Sequence, residues 1–105
     1  MNNNLINGGI YTLENLENDF FIFITENRTL ERYVVVRIRF ITESSRKYNT
    51  KEIQAIINDQ INNHKKLEKL CVFYRMNVFH NRCNGFLGVV DADAQKKCND
   101  ILDIL

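Results

Sequence analysis

Apolar residues recur along the chain with two different periods. Residues 33–41 alternate: Val34, Val36, Ile38 and Phe40 fall on one face, and Tyr33, Arg37 and Arg39 on the other, which predicts a strand. Residues 70–80 alternate too. Leu70, Val72, Tyr74, Met76 and Val78 form the more apolar face, opposite Cys71, Phe73, Arg75, Asn77 and Phe79. Phe20-Phe21-Ile22-Phe23-Ile24 is apolar at every position, the mark of a strand that is central or covered on both sides. Two shorter runs, 10–13 and 86–90, predict a first strand at a sheet edge and a last short strand. Turns are expected over 14–19, at 26–28, and over 81–85, where Asn84-Gly85 is a strong turn signal.

Helical spacing takes over in two places. Ile53, Ile56, Ile57, Gln60, Ile61 and His64 fall on one stripe, after Asn49 or Thr50 as N-cap and Glu52 as the partner of a capping box. Ala94, Cys98, Ile101, Leu102 and Leu105 form a second stripe, with Asp91 placed to cap it. The order is β-β-β-α-β-β-α. This is an α+β fold: a mainly antiparallel sheet of four to five strands with two covering helices. With 105 residues the chain forms one domain, because two cores would each be too small. Residues 1–8, polar and rich in Asn, are expected to form a loose N-terminal arm.

Charge changes the picture more than composition does. Net charge is +1, but residues 1–27 carry −4, residues 28–82 carry +7 and residues 83–105 carry −2. A basic middle between acidic ends can form a positive face for nucleic acid; its simpler use is to solvate sheet and helix surfaces. Fifteen Asn, twelve Ile and no Pro suggest an AT-rich coding genome, such as that of a virus, a low-GC bacterium or a eukaryotic parasite. Residues 1–4 have neither a positive n-region nor an apolar h-region, and no run approaches a membrane span. Neither a secretory signal nor a membrane role is expected. Three Cys, odd in number and without a Cys-x-x-Cys pair, fit a reducing, cytoplasmic setting.

Candidate chemistry is sparse. His80 and Cys83 have a spacing that two metal ligands on a turn can use, with Cys71, Cys98 or His64 to complete a tetrahedron. Cys83 with His80 is also the pair from which a thiol nucleophile would be built. The simpler assignment makes Cys71 and Cys98 small core residues and ends a strand at His80. The four glycines, at 8, 9, 85 and 88, begin no phosphate-binding pattern. No enzyme, metal site or cofactor is expected.

Residues 85–93, GFLGVVDAD, resemble the signature of LAGLIDADG homing endonucleases, in which an acidic residue at the end of a packed helix holds the catalytic metal. That family follows the motif with a long antiparallel saddle, whereas the twelve residues after Asp93 read as a helix. Asp91 and Asp93 are therefore expected to be N-terminal helix residues that favour the helix dipole. Gly88-Val89, Lys96-Lys97-Cys98, Ile101 and Leu105 keep the spacing of the last strand and helix of profilins. Residues 49–59 resemble the middle helix of plant-type profilins. The resemblance implies a non-enzymatic protein that binds actin and proline-rich peptides. The aromatic N-terminal helix and the Trp of that family are missing, and the space for several strands holds about one.

Three functions follow. The first is a small protein-interaction module, an accessory subunit or inhibitor, that docks on a larger protein or complex through its sheet face. The second is an RNA- or DNA-binding domain using Arg37, Arg39 and Arg75 with Tyr33 and Phe73, since basic residues interleaved with aromatics can hold phosphate and stack bases; the same five residues fit an acidic protein partner or an ordinary solvated sheet face. The third is a profilin-like actin-binding protein, and a small enzyme using Cys83 or His80 stands as an alternative to all three. A homodimer is a further expectation, because so short a chain buries a limited core.

Overall fold

A computed structural model of the protein describes residues 5–13, 16–23 (backbone only at 16–19), 32–41, 48–64, 69–79 and 82–105. The elements come in the expected order: β1 (Gly9–Leu13), β2 (Leu16–Phe23), β3 (Arg32–Phe40), α1 (Thr50–Asn62), β4 (Cys71–Phe79), β5 (Cys83–Val89) and α2 (Ala92–Ile104). The strands form one antiparallel sheet in the order β4-β3-β2-β1-β5. The fold is α+β.

Both helices join one face of the sheet. Ile53, Ile57 and Ile61 of α1, and Ala94, Cys98, Ile101 and Leu102 of α2, share a core with Ile10, Phe20, Ile22, Val36, Ile38, Phe40 and Cys71. A second cluster lies on the opposite sheet face: Tyr11, Leu13, Phe21, Phe23, Tyr33, Val35 and Val78, with Leu5, Met76 and Cys83 packed against it. The alternation of β2 between the clusters explains its unbroken apolar run. It is the middle strand of five, buried on both faces.

Both clusters draw on all five strands, and covalent reach constrains how the sheet carries them. Phe79 ends β4 and Cys83 begins β5, four residues later, yet these strands are the two edges of the sheet. Four residues span at most about 14 Å. In a flat sheet, four interstrand spacings come to about 19 Å. The registers also put Phe79 and Cys83 at opposite ends of their strands, so the sheet must twist and curl until these two corners approach. Two register shifts between β1 and β5, at Ile10/Tyr11 and Thr12/Leu13, are irregularities of the kind that let strands bend.

Several expectations are corrected. β1 is not an edge strand; β5 crosses over to pair with it, Gly9 opposite Val89. β2 begins at Leu16, opposite Leu13, inside the stretch read as a turn. Asn84-Gly85 is not a turn but part of β5. Gly85 lies opposite Thr12, where an added Cβ would sit 2.5 Å from Thr12 Oγ1, and that hydroxyl donates to Asn84 Oδ1 (2.6 Å). Here glycine serves close approach of two strands. Residues 5–8 are docked rather than loose. The N–H of Leu5 donates to Tyr33 Oη and that of Ile6 to Tyr11 Oη, while Gly8 bridges Phe23 and Val90 through its backbone. Residues 1–4 and the turn expected at 26–28 lie outside the described residues.

Candidate protein-interaction surface

The five residues singled out in the sequence fall on two faces of the sheet. Tyr33, Arg37 and Arg39 lie on the side of the second cluster. Tyr33 is buried there; its hydroxyl accepts from Leu5 N–H (3.3 Å) and its ring packs edge-on to Phe23 at 5.7 Å. It offers no open stacking platform. Arg37 is half-buried. Arg39 is exposed, with its guanidinium 5.6 Å from the Tyr74 ring centroid.

Phe73 and Arg75 lie on the helix side, in register with Ile38 and Val36. Phe73 is half-buried against the main core, and Arg75 Nη1 donates to the Leu102 carbonyl at 3.3 Å. The more apolar face assigned to β4 is thus not the face that meets the helices. Cys71 and Phe73 meet them, while Val72, Tyr74, Met76 and Val78 face the other way. Both faces of β4 are apolar enough to pack, so alternation alone did not choose between them.

What these residues share is the edge of β4. Ile41 N–H donates to the Leu70 carbonyl directly across (3.0 Å), which fixes the hydrogen-bonding phase of the β3–β4 ladder. Alternation then directs the backbone groups of Val72, Tyr74, Met76 and Val78 toward β3. Those of Cys71, Phe73, Arg75, Asn77 and Phe79 point away from the sheet. At the start of the strand Gln60 Oε1 takes both Cys71 N–H (3.3 Å), which points outward in this phase, and Leu70 N–H (2.9 Å). Buried Gln60 thus closes the start of the edge. Among the described residues, no strand pairs with the outward groups of Phe73, Arg75 and Asn77. Tyr74, 39% exposed, and the exposed Asn77 and Phe79 flank them. Arg32 lies over the Phe79 ring at 4.5 Å.

The other sheet edge is blunted. β5 carries both register shifts and two glycines, and its Val89 carbonyl is taken by Gln54 Nε2 (3.0 Å). β4 runs nine residues in unbroken register with β3, without Pro. Proteins ordinarily break up such an edge. The sequence shows that β4 carries a single charge, but its edge position follows from the crossover of β5 and has no local signal.

Two other groupings bear on function. An open cleft of about 330 Å³ is lined by Lys51, Gln54, Ala55, Asn58, Val89 and Asp91. Its polar groups satisfy one another. Asn58 Nδ2 donates to Asp91 Oδ2 (2.8 Å), Asp91 N–H donates to Asn58 Oδ1 (2.9 Å), and Ala94 N–H donates to Asp91 Oδ1 (2.7 Å). The Asn58 amide, above all, with the Ala94 N–H and Asn62, holds the Asp91 carboxyl below the ordinary carboxylate range. Asp91 is the N-cap of α2 and Asp93 lies in its first turn, as expected. Gly85 to Val89 are strand, so the residues resembling the endonuclease signature do not form its helix.

The thiols are the second grouping. Burial pushes Cys71 and Cys98 up to about 12 and half-buried Cys83 up to about 11, the opposite of what a thiol nucleophile needs. His64 Nδ1 sits 3.2 Å from the Ile61 carbonyl, and His80 lies outside the described residues. Among the described residues, no three His, Cys, Asp or Glu gather as metal ligands, and no helix is long and apolar enough to cross a membrane. Comparisons with protein-family models, with curated proteins and with solved structures return no match. The residues that resemble profilin's last strand and helix fall on β5 and α2.

Proposed function

We propose that this chain is a non-enzymatic protein-interaction module that docks on a larger protein or complex by pairing the outer edge of β4, which no strand among the described residues covers, with an extended segment of its partner. The observation that carries this reading is the regular nine-residue edge, with outward N–H and C=O groups at Phe73, Arg75 and Asn77, opposite an edge that is blunted. Unpaired strand groups recruit a strand, and the exposed Tyr74 and Phe79 add side-chain area beside them. Three free thiols, all buried or half-buried, fit a reducing cytoplasmic setting.

The nucleic-acid reading draws less support. Its five residues are divided between two faces, and Tyr33 is buried.

Asn77→Pro tests the docking edge. It removes one outward N–H and no ladder hydrogen bond, a change that edge strands tolerate. Tagged wild-type and variant chains are used to capture partners from native-host lysate, with and without nuclease. The expected result is a nuclease-resistant partner that the variant loses while its circular dichroism is unchanged. A partner retained by the variant, or one lost on nuclease treatment, overturns the reading.

A further inference from the structure

The charge around the β4 edge specifies the chemistry of its partner, and this inference rests on the docking reading above. Strands β3 and β4, RYVVVRIRF and CVFYRMNVF, together hold four Arg and no Asp or Glu. Two of these matter most at the edge. Arg75 lies on β4 itself, among the outward-pointing backbone groups; its side chain is exposed, and its Nη1 bond to the Leu102 carbonyl uses one of the guanidinium's five N–H donors. Arg39 belongs to β3, but its guanidinium leans over the Tyr74 ring and so places its charge on β4. The two arginines flank the edge on opposite faces of the sheet. The acidic residue in register with Arg39 is Asp19 of β2, one strand further from the edge.

A strand added to β4 would lie about 4.8 Å from it. Its side chains would alternate between the Arg75 face and the Tyr74–Arg39 face. Carboxylates on that strand would meet a guanidinium on either side, and opposite charges directly across a strand pair are stabilising. A second copy of the chain would bring another Arg75 and another Arg39 to the same seam, and like charges there oppose pairing. We therefore propose that the β4 edge takes an extended, carboxylate-rich segment of another protein rather than a second copy of itself.

Three labelled nine-residue peptides test this: a common Val/Thr background carrying four Glu, four Gln or four Lys. Binding to the intact chain is followed by fluorescence anisotropy at low and high salt, and the oligomeric state by sedimentation. The Glu peptide is expected to bind about fivefold to tenfold tighter than the Gln peptide. The Lys peptide should bind weakest, and the preference should collapse at high salt. Asn77→Pro should abolish binding of all three. Arg39→Gln should reduce the Glu-over-Gln preference and leave Gln-peptide affinity unchanged.

Equal affinity for Glu and Gln peptides, both lost in Asn77→Pro, overturns the acidic partner but leaves the docking edge standing. Glu-peptide binding that survives Asn77→Pro overturns strand addition. Failure of every peptide to bind overturns both. A dimer abolished by Asn77→Pro puts a second copy on the edge and overturns the inference. Displacement of the Glu peptide by a lower concentration of single-stranded DNA oligonucleotide overturns it in favour of nucleic acid.

Discussion

Gly88 holds φ at +141°, a backbone region that side chains rarely adopt, and an added Cβ would sit 2.6 Å from Gln54 Nε2. That amide is the one that donates to the Val89 carbonyl and ties α1 to β5. Strain and displacement act together here, so Gly88→Ala should destabilise the fold by roughly 1–3 kcal/mol. Urea denaturation measures this directly, and an unchanged midpoint would show that Gln54 is not a working tie. Residue roles of this kind were half legible. Asp91 announced itself as a cap because a cap is local chemistry. Gly85 did not announce itself as a contact with Thr12, because the Asn-Gly pair is also a turn signal and its strand partner lies 73 residues away.

Helix ends show the same division at the level of elements. Both N-termini could be read in sequence. Asn49 and Glu52 form the capping box of α1, and Asp91 caps α2. The C-termini could not, since neither helix has a basic residue in its last turn. Lys97 Nζ reaches the Asn62 carbonyl at the end of α1 (3.1 Å), and Arg75 reaches the Leu102 carbonyl near the end of α2. Each helix thus borrows its C-terminal cation from a distant element, satisfying an orphan carbonyl and the negative end of the dipole. Arg75, read in sequence as a nucleic-acid contact, is explained in part by this role.

The Asp91 cap also carries a pH dependence. Its carboxyl is held below the ordinary value of 3.8, so the folded state binds this proton more weakly than the unfolded chain does. Its stabilisation is present above that ordinary value and is lost as pH falls through the depressed one. Asp91→Asn should lower the melting temperature at pH 7 and flatten the acid limb of the stability profile. A thermal-melt series from pH 7 to acid checks both, and parallel acid limbs in the two proteins would refute it.

For the whole molecule, the three thiols lie in or against the two clusters, and their burial has a chemical signature. Each holds its proton more tightly folded than unfolded, from an ordinary value of 9.0. Stability that depends on the neutral thiols is therefore intact below about 9 and is lost as pH climbs toward 11 and 12. At pH 8 the native chain should react with a thiol reagent at least about tenfold more slowly than the urea-unfolded chain, at Cys83 as well as at the two buried positions. Equal rates at Cys83 would restore it as a candidate nucleophile.

The fold class and element order could be read from periodicity because each element is patterned within itself. The strand order could not, because it depends on one long-range pairing, Gly9 with Val89, that joins residues near opposite ends of the described chain. That pairing has a consequence during synthesis. β1, β2 and β3 leave the ribosome first and can pair as a meander, but the outer side of β1 stays open until β5 has been made. The last strand thus completes the sheet from the end opposite β4. A nascent or truncated chain therefore exposes the outer side of β1, which the finished protein covers, and the wait for residues 83–89 is the interval in which misassembly competes with folding.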